Sequence, residues 1–302
     1  MQIMSLITAL PGAAAQGLIW GIMAIGVYIT FRILDIADLT VDGTLCTGGA
    51  VCIMMMLSGH NVWVSMLVAT GAGLLAGLAT GIFHTFMGIP AILAGILTQL
   101  SLYSVNLKIM GKANQAINVD KFNLLVSLRR VKGVALTQNT LFIVAIMIII
   151  LIAVLYWFFG TELGCSLRAT GCNPSMSRAQ GINTDRNKVL GLMLSNGLVA
   201  LSGALLTQYQ GFADINMGRG SIVIGLAAVI IGEAIFSRIF RNFALKLLSV
   251  VFGSILYYLV LQIVIWMGID TDHLKCFRTR RRIVPCFPIL EGQILYKSQT
   301  GR

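Results

Sequence analysis

The chain has 302 residues, of which 57% are hydrophobic and only 11% charged, with a mean hydropathy of +0.87. A soluble domain carries about a quarter charged residues, so this composition excludes one and points to a membrane protein. The net charge of +11 does not indicate a nucleic-acid partner, because +6 of it falls in the last thirty residues, where seven Lys or Arg accompany one acid, Glu291.

A spanning helix needs about 20 mostly apolar residues, since hydrocarbon offers the backbone no hydrogen-bond partner outside its own segment. Eight segments qualify once two short or broken ones are admitted: Ala13 to Phe31, Val41 to Leu57, Val62 to Phe83, Pro90 to Met110, Thr140 to Phe159, Val189 to Thr207, Ser221 to Phe236 and Leu245 to Met267. The expected fold is an all-α polytopic integral membrane bundle of about eight transmembrane helices, some broken, forming one transmembrane domain over residues 1–275. The opening "MQIMSLITAL" lacks the basic n-region of a cleaved signal, so the first apolar segment is expected to stay as a helix.

The first break, "RILDIADLTVDGTLCTGGA", sets Arg32, Asp35, Asp38 and Asp42 between apolar runs. Three carboxylates are costly in hydrocarbon, so the segment belongs at a membrane edge or against a cavity. A solvated turn accounts for Asp35 and Asp38, whereas Asp42 with Thr44 suits the start of a helix lining a pathway. Next, Gly73, Gly77 and Gly81 recur every four residues and make a flat stripe for close helix approach, either within the subunit or at a subunit interface. Gln99, Asn106, Asn196 and Gln208 are uncharged polar groups inside apolar segments. They form interhelical hydrogen bonds or, with Asp42, face a substrate path.

Positively charged short loops favour the cytoplasm. The polar island "SLRATGCNPSMSRAQGINTDRNK", Ser166 to Lys188, carries four basic residues against Asp185, and "SRIFRNFALK" adds Arg238, Arg241 and Lys246. Two spans separate these loops, so both vote for the cytoplasm and place the N-terminus outside. The stretch 111–139 should then face out, although it holds Lys112, Lys121, Arg129, Arg130 and Lys132 against Asp120.

A second break, "YQGFADINMGRGS", brackets Asp214, Asn216 and Arg219 with Gly211, Gly218 and Gly220. Broken helices at membrane depth point to a translocation site; an external hairpin fits the same residues. Glu233 lies one turn before Ser237 and Arg238 and is expected to pair with Arg238 or Arg241.

The six cysteines show no C-x-x-C spacing, the three histidines no H-E-x-x-H pattern, and no phosphate loop is present. The sequence therefore calls for no metal, no cofactor in this chain and no catalytic residue. An ion-coupled transporter would need an intramembrane carboxylate, for which Glu233 and Asp42 are the candidates. A membrane enzyme would need clustered acid-base groups, which are not found.

The run "LRATGCNPSMSRAQGINTDRNKVLGLMLSNGLVALSGALL" resembles the permease subunits of the ABC importer superfamily that carries branched-chain amino acids and ribose, through Leu167, Arg168, Ala169, Gly171, Asn173, Pro174, Ala179, Gly181, Ile182 and Asn183. "RILDIADLTVDGTLCTGGAV" and "GFADINMG" followed by "IVIGLAAVIIGEAIF" look like signatures of an uncharacterised branch linked to aromatic amino acids. The resemblance implies a bacterial cytoplasmic-membrane subunit without its own ATPase, importing a small solute. An amino acid leads, with a sugar or another small solute as the alternative. It also implies a homodimer or a similar paired chain, a separate ABC ATPase that binds ATP and Mg, and a substrate-binding lipoprotein. It makes residues 166–188 the segment that contacts the ATPase: Asn173 caps a short surface helix, Pro174 starts it, Arg178 lies on it and Gly181 ends it. Arg219 departs from the family pattern. The similarity stops after Lys275, where residues 276–302 form an atypical basic tail, read as a frameshifted or aberrant gene end.

Overall fold

In the computed structural model, residues 2–117, 124–127, 139–236 and 242–266 are described. They form helices α1 (Gln2–Tyr28), α2 (Val41–Leu57), α3 (Val62–Thr85), α4 (Ala91–Met110), α5 (Thr140–Gly160), α6 (Glu162–Cys172), α7 (Pro174–Ala179), α8 (Thr184–Gln210), α9 (Ser221–Phe236) and α10 (Phe243–Trp266). A five-residue π-turn, Ile29–Ile33, continues α1, and strands β1 (Asn114–Ala116) and β2 (Phe212–Asp214) pair antiparallel.

Six helices are long and apolar enough to cross a membrane, and α2 and α9, at 17 and 16 residues, are shorter apolar helices. All eight expected segments are therefore helical, and the fold is an all-α polytopic bundle. Two boundaries differ from the hydropathy reading by more than three residues. Helix α1 begins at Gln2 rather than Ala13, and α8 begins at Thr184 rather than Val189. In α8 the reason is local: the Asn183 side chain accepts from the Arg186 N–H, so a polar turn is already helical before the apolar run starts.

Helix α8 lies at the centre, packed by α3, α2 and α1. Small residues bring these backbones together. A Cβ on Gly77 would run into the Leu192 carbonyl, and one on Gly73 into Ala200 and the Asn196 carbonyl; one on Gly81 would lie 3.0 Å from the Val189 Cα. The stripe on α3 is thus an internal packing face, as the first of its two readings held. Gly26 of α1 meets α8 in the same way, with the Ser195 carbonyl 2.9 Å from its would-be Cβ. Large apolar side chains left exposed on α3, α4 and α5, including Leu67, Leu100, Ile149 and Trp157, suit a lipid-facing surface.

The bundle has two ends. At one, α4 and α8 stop on left-handed glycines, Gly111 (φ 66°) and Gly211 (φ 80°), and the β1–β2 ribbon joins the chains that leave them. At the other, α5 ends beside α10, with the Phe159 and Phe243 rings 4.9 Å apart, and Arg168 lies 5.3 Å over Phe243. The basic island and the start of α10 therefore share an end, opposite the ribbon, as the loop parity requires. Residues Asp120, Lys121, Arg129, Arg130, Lys132, Arg238 and Arg241 and the tail 276–302 lie outside the described residues.

Candidate functional site

Two polar regions stand out, one in the middle of the bundle and one at the island end. The first is built on the start of α2. A non-helical stretch over residues 34–40 brings α2 into the interior with a helix N-terminus, where the free backbone N–H groups need partners. Asp38 supplies one: its Oδ1 accepts from the Thr40 N–H at 2.9 Å. Its Oδ2 accepts from Asn196 Nδ2 at 2.7 Å. Asp38 is buried, so it is not the solvated turn residue the sequence suggested; Asp35, exposed at φ 56°, is. The signal that separates the two is missing from the local sequence, because the partner of Asp38 sits 158 residues away on α8.

From this start, successive residues reach three or more neighbours. Thr40 and Thr80 of α3 share a hydroxyl hydrogen bond of 2.8 Å. Asp42 turns to α9, where its carboxylate accepts from the Gly220 N–H (2.9 Å), the Ser221 hydroxyl (2.8 Å) and the Ile222 N–H (3.0 Å). It thus caps another helix while standing in the first turn of its own, and a carboxylate at a helix N-terminus also meets the positive end of the dipole. Gly43 faces α4, with the Gln99 Cα 3.1 Å from its would-be Cβ, and its carbonyl accepts from Asn106 Nδ2 at 3.5 Å. Thr44 donates to Asn196 Oδ1 at 2.7 Å.

The start of α2 thus gathers four of the five path candidates, Asp42, Gln99, Asn106 and Asn196. The fifth, Gln208, lies farther along α2 against Cys52, with a weak 3.6 Å contact to its sulfur. The Asn106 Oδ1 and Gln208 Oε1 atoms are buried and have no hydrogen-bond partner among the described residues. Such groups cost about 1–3 kcal/mol if nothing meets them, which marks them as acceptors open to a donor.

The second break continues this site. Residues 211–220 turn back from the ribbon onto α2: Cys46 Sγ donates to the Ile215 carbonyl (3.3 Å) and accepts from the Gly218 N–H (3.2 Å). Cys46 is therefore more than a packing residue. A Cβ on Gly218 would strike the Asp42 carbonyl, so only glycine fits there. Asp214 accepts from the Asn216 N–H at 2.7 Å and from Asn114 Nδ2 at 3.4 Å, and Arg219 is exposed.

The island resolves into three pieces rather than one surface helix. Its first part, with Arg168, Ala169 and Gly171, is the end of α6; its last part opens α8; only α7 between them is the short capped helix. Asn173 accepts from the Met176 N–H at 3.1 Å with Pro174 in the first turn. Gly181, at φ 79°, donates to the Arg178 carbonyl at 3.0 Å, and Ile182 donates to the Ser177 carbonyl at 3.1 Å. That pair of bonds is a Schellman stop, so both ends of α7 are closed as the sequence suggested. Arg178 Nε donates to Thr184 Oγ1 at 2.7 Å, and its NH2 group lies 3.5 Å from Asp185. Asn187 ties α8 to α6 through Thr170 (2.9 Å) and Ser166 (3.2 Å). The outer face of this fixed assembly carries exposed Arg168, Ala169, Met176, Arg178, Ala179 and Arg186. Nearby, Glu233 pairs with Arg32 of the π-turn, at 3.0 Å, across 201 residues of sequence, a partner the sequence did not suggest; its expected partners Arg238 and Arg241 lie outside the described residues.

The family described as "Branched-chain amino acid transport system / permease component" matches residues 10–281, which covers both polar regions and runs past Lys275. A protein of Clostridioides difficile named "Tyrosine transport system permease protein" is 38% identical over 260 residues, 86% of this chain and 84% of its own. An uncharacterized protein of Rickettsia prowazekii is 39% identical over 274 residues, 89% and 92% of the two chains. A fructose import permease protein of Bifidobacterium longum is 25% identical over 250 residues, 82% and 68%. No solved structure matches the chain.

Proposed function

We propose a function from one premise: this chain belongs to the branched-chain amino acid transport system permease family, and is a multi-pass membrane permease of the ABC importer superfamily. It imports an amino acid with an aromatic side chain, tyrosine being the leading solute, across a bacterial cytoplasmic membrane. The observation that carries the amino-acid reading is its similarity, over most of both chains, to the protein named for tyrosine transport. The site at the start of α2 supports it chemically. Uncharged donors and acceptors on α4 and α8, beside two carboxylates, suit a zwitterion that exchanges hydrogen bonds as it passes.

In this reading the energy comes from a separate ATPase, which binds ATP and Mg, and the solute from a lipoprotein. The ATPase presses on the island, whose residues Arg168, Ala169, Gly171, Asn173, Pro174, Arg178, Ala179, Gly181, Ile182 and Asn183 make its contact surface. A permease responds to that push only if the partner contacts two bundle states differently. Asp42, Gln99, Asn106, Asn196 and Gln208 line or adjoin the solute path, and the subunit works as a homodimer or with a similar chain.

Reconstitution with the ATPase and lipoprotein tests this. Radiolabelled tyrosine should enter proteoliposomes only with ATP on the island side, and unlabelled tyrosine should compete where fructose does not. Fructose uptake without tyrosine uptake would replace the amino-acid reading with the sugar one. Uptake on an ion gradient without the ATPase would overturn both.

A further inference from the structure

The island and the start of α2 lie at different depths, and a push on one reaches the other only through something stiff. The chain between them offers a route. On α6, Gly171 presses against the Ile33 carbonyl and the Leu34 backbone of the π-turn region; its would-be Cβ lies 3.0 Å from the Leu34 Cα. Leu34 in turn fills the space beside Gly191 of α8. Two arms leave this node for α2. One is the backbone of residues 34–40, anchored by Asp38 to Asn196 and Thr40.

The other arm is α9. Its N-terminus is held by the Asp42 carboxylate through three hydrogen bonds. Its middle rests on α1, with Val27 and Met23 atoms 2.9 and 3.1 Å from the would-be Cβ of Gly225. Near its C-terminus, Glu233 accepts from Arg32 of the π-turn at 3.0 Å. The two arms and their fastenings make a closed loop: π-turn, residues 34–40, first turn of α2, α9 and back to the π-turn.

We infer that residues 29–42 and α9 form one closed frame that carries movement of α6 to the middle of the bundle, with Arg32, Glu233 and Asp42 as its pins. The inference rests on the ATPase acting at the island. The pins differ in strength. Asp42 holds charge-assisted bonds inside the bundle, which are short and strong. The Arg32–Glu233 pair has side chains 61% and 33% exposed, and contributes little to stability. It sets the orientation of α9 instead, which makes it the pin whose loss disconnects the frame without unfolding it. A route of this kind is established by a two-state element that both sites bias, and by reciprocal rescue of its pairs.

The test uses the complete importer in lipid nanodiscs. Exposed Ile235 of α9 and Leu75 of α3 are changed to Cys and spin-labelled, with Cys165, Cys172, Cys276 and Cys286 changed to Ser. Trapping the ATPase with ATP and vanadate should shift the label distance. Arg32→Glu should remove at least half of that shift, Arg32→Gln should reduce it less, and Arg32→Glu with Glu233→Arg should restore it. No shift in the parent, an undiminished shift in both Arg32 variants, or no rescue by the swap would overturn the frame. The milder Gln variant reports if the Glu variant does not fold. The measurement does not depend on which solute is carried, so a failure of tyrosine uptake leaves it standing.

Discussion

The start of α2 and the island from Ser166 to Lys188 are both polar, yet they use their polar groups in opposite ways. In α2, Asp42 and Thr44 turn inward to donors and acceptors on other helices, and the preceding Asp38 and Thr40 do the same. In the island, most bonds close local structure: Asn173 and Asn183 cap the helices that follow them, and Gly181 stops α7. The basic side chains stay outside. Polar groups buried among lipid-spanning helices are costly to leave unpaired, and all but a few of the described ones are paired, whereas exposed ones are free to meet a partner. In the proposed function, a region whose polar groups are mostly taken up by the fold is a joint, and one that folds itself and still exposes Arg168, Arg178 and Arg186 is the contact surface.

Substitutions in each region should therefore fail differently. The largest effect is expected for Asp42→Leu, which leaves three donors of α9 without an acceptor; at roughly 1–3 kcal/mol per unmet group, the folded bundle should be lost in detergent melts. If Asp42→Leu melted like the parent, the first region would not be a joint. Gly77→Leu drives a side chain into the Leu192 carbonyl of the central helix, and overpacking of this kind should cost about 1–3 kcal/mol and lower the melting temperature. Asn173→Ala removes only the α7 cap, worth about 1 kcal/mol, and Asn173→Gly should recover most of it. Small in stability is Arg178→Ala: its ion pair with Asp185 is exposed on both sides and it gives up one hydrogen bond to Thr184, so the melt should move by about 1 kcal/mol. A large loss of stability there would make the island part of the fold rather than a surface offered outward.

How far these two regions are readable in sequence follows from the range of their bonds. Hydropathy locates the eight apolar helices because each meets its backbone needs within itself. The caps of α7 are readable because Asn173, Pro174 and Gly181 act within a few residues of their own positions. The joint is only half readable. Three carboxylates between apolar runs announce a break, but nothing local distinguishes buried Asp38 from exposed Asp35. Nearness in sequence points Glu233 toward Arg238, outside the described residues, and gives no hint of Arg32, which the fold brings to 3.0 Å from it across 201 residues. Likewise, two strands of three residues each cannot be read from alternation, and the ribbon exists because two glycine-stopped helices end side by side.

In the proposed function the island transmits ATP hydrolysis to the bundle without being needed to hold the bundle together. The direct measurement is tyrosine taken up per ATP hydrolysed by the reconstituted importer carrying Arg178→Ala with Gly181→Val, a change that puts a β-branched residue at φ 79°. Membrane insertion should be normal, hydrolysis should continue and the tyrosine-to-ATP ratio should fall at least tenfold. An unchanged ratio would contradict this role and return the island to a loop that only fixes topology.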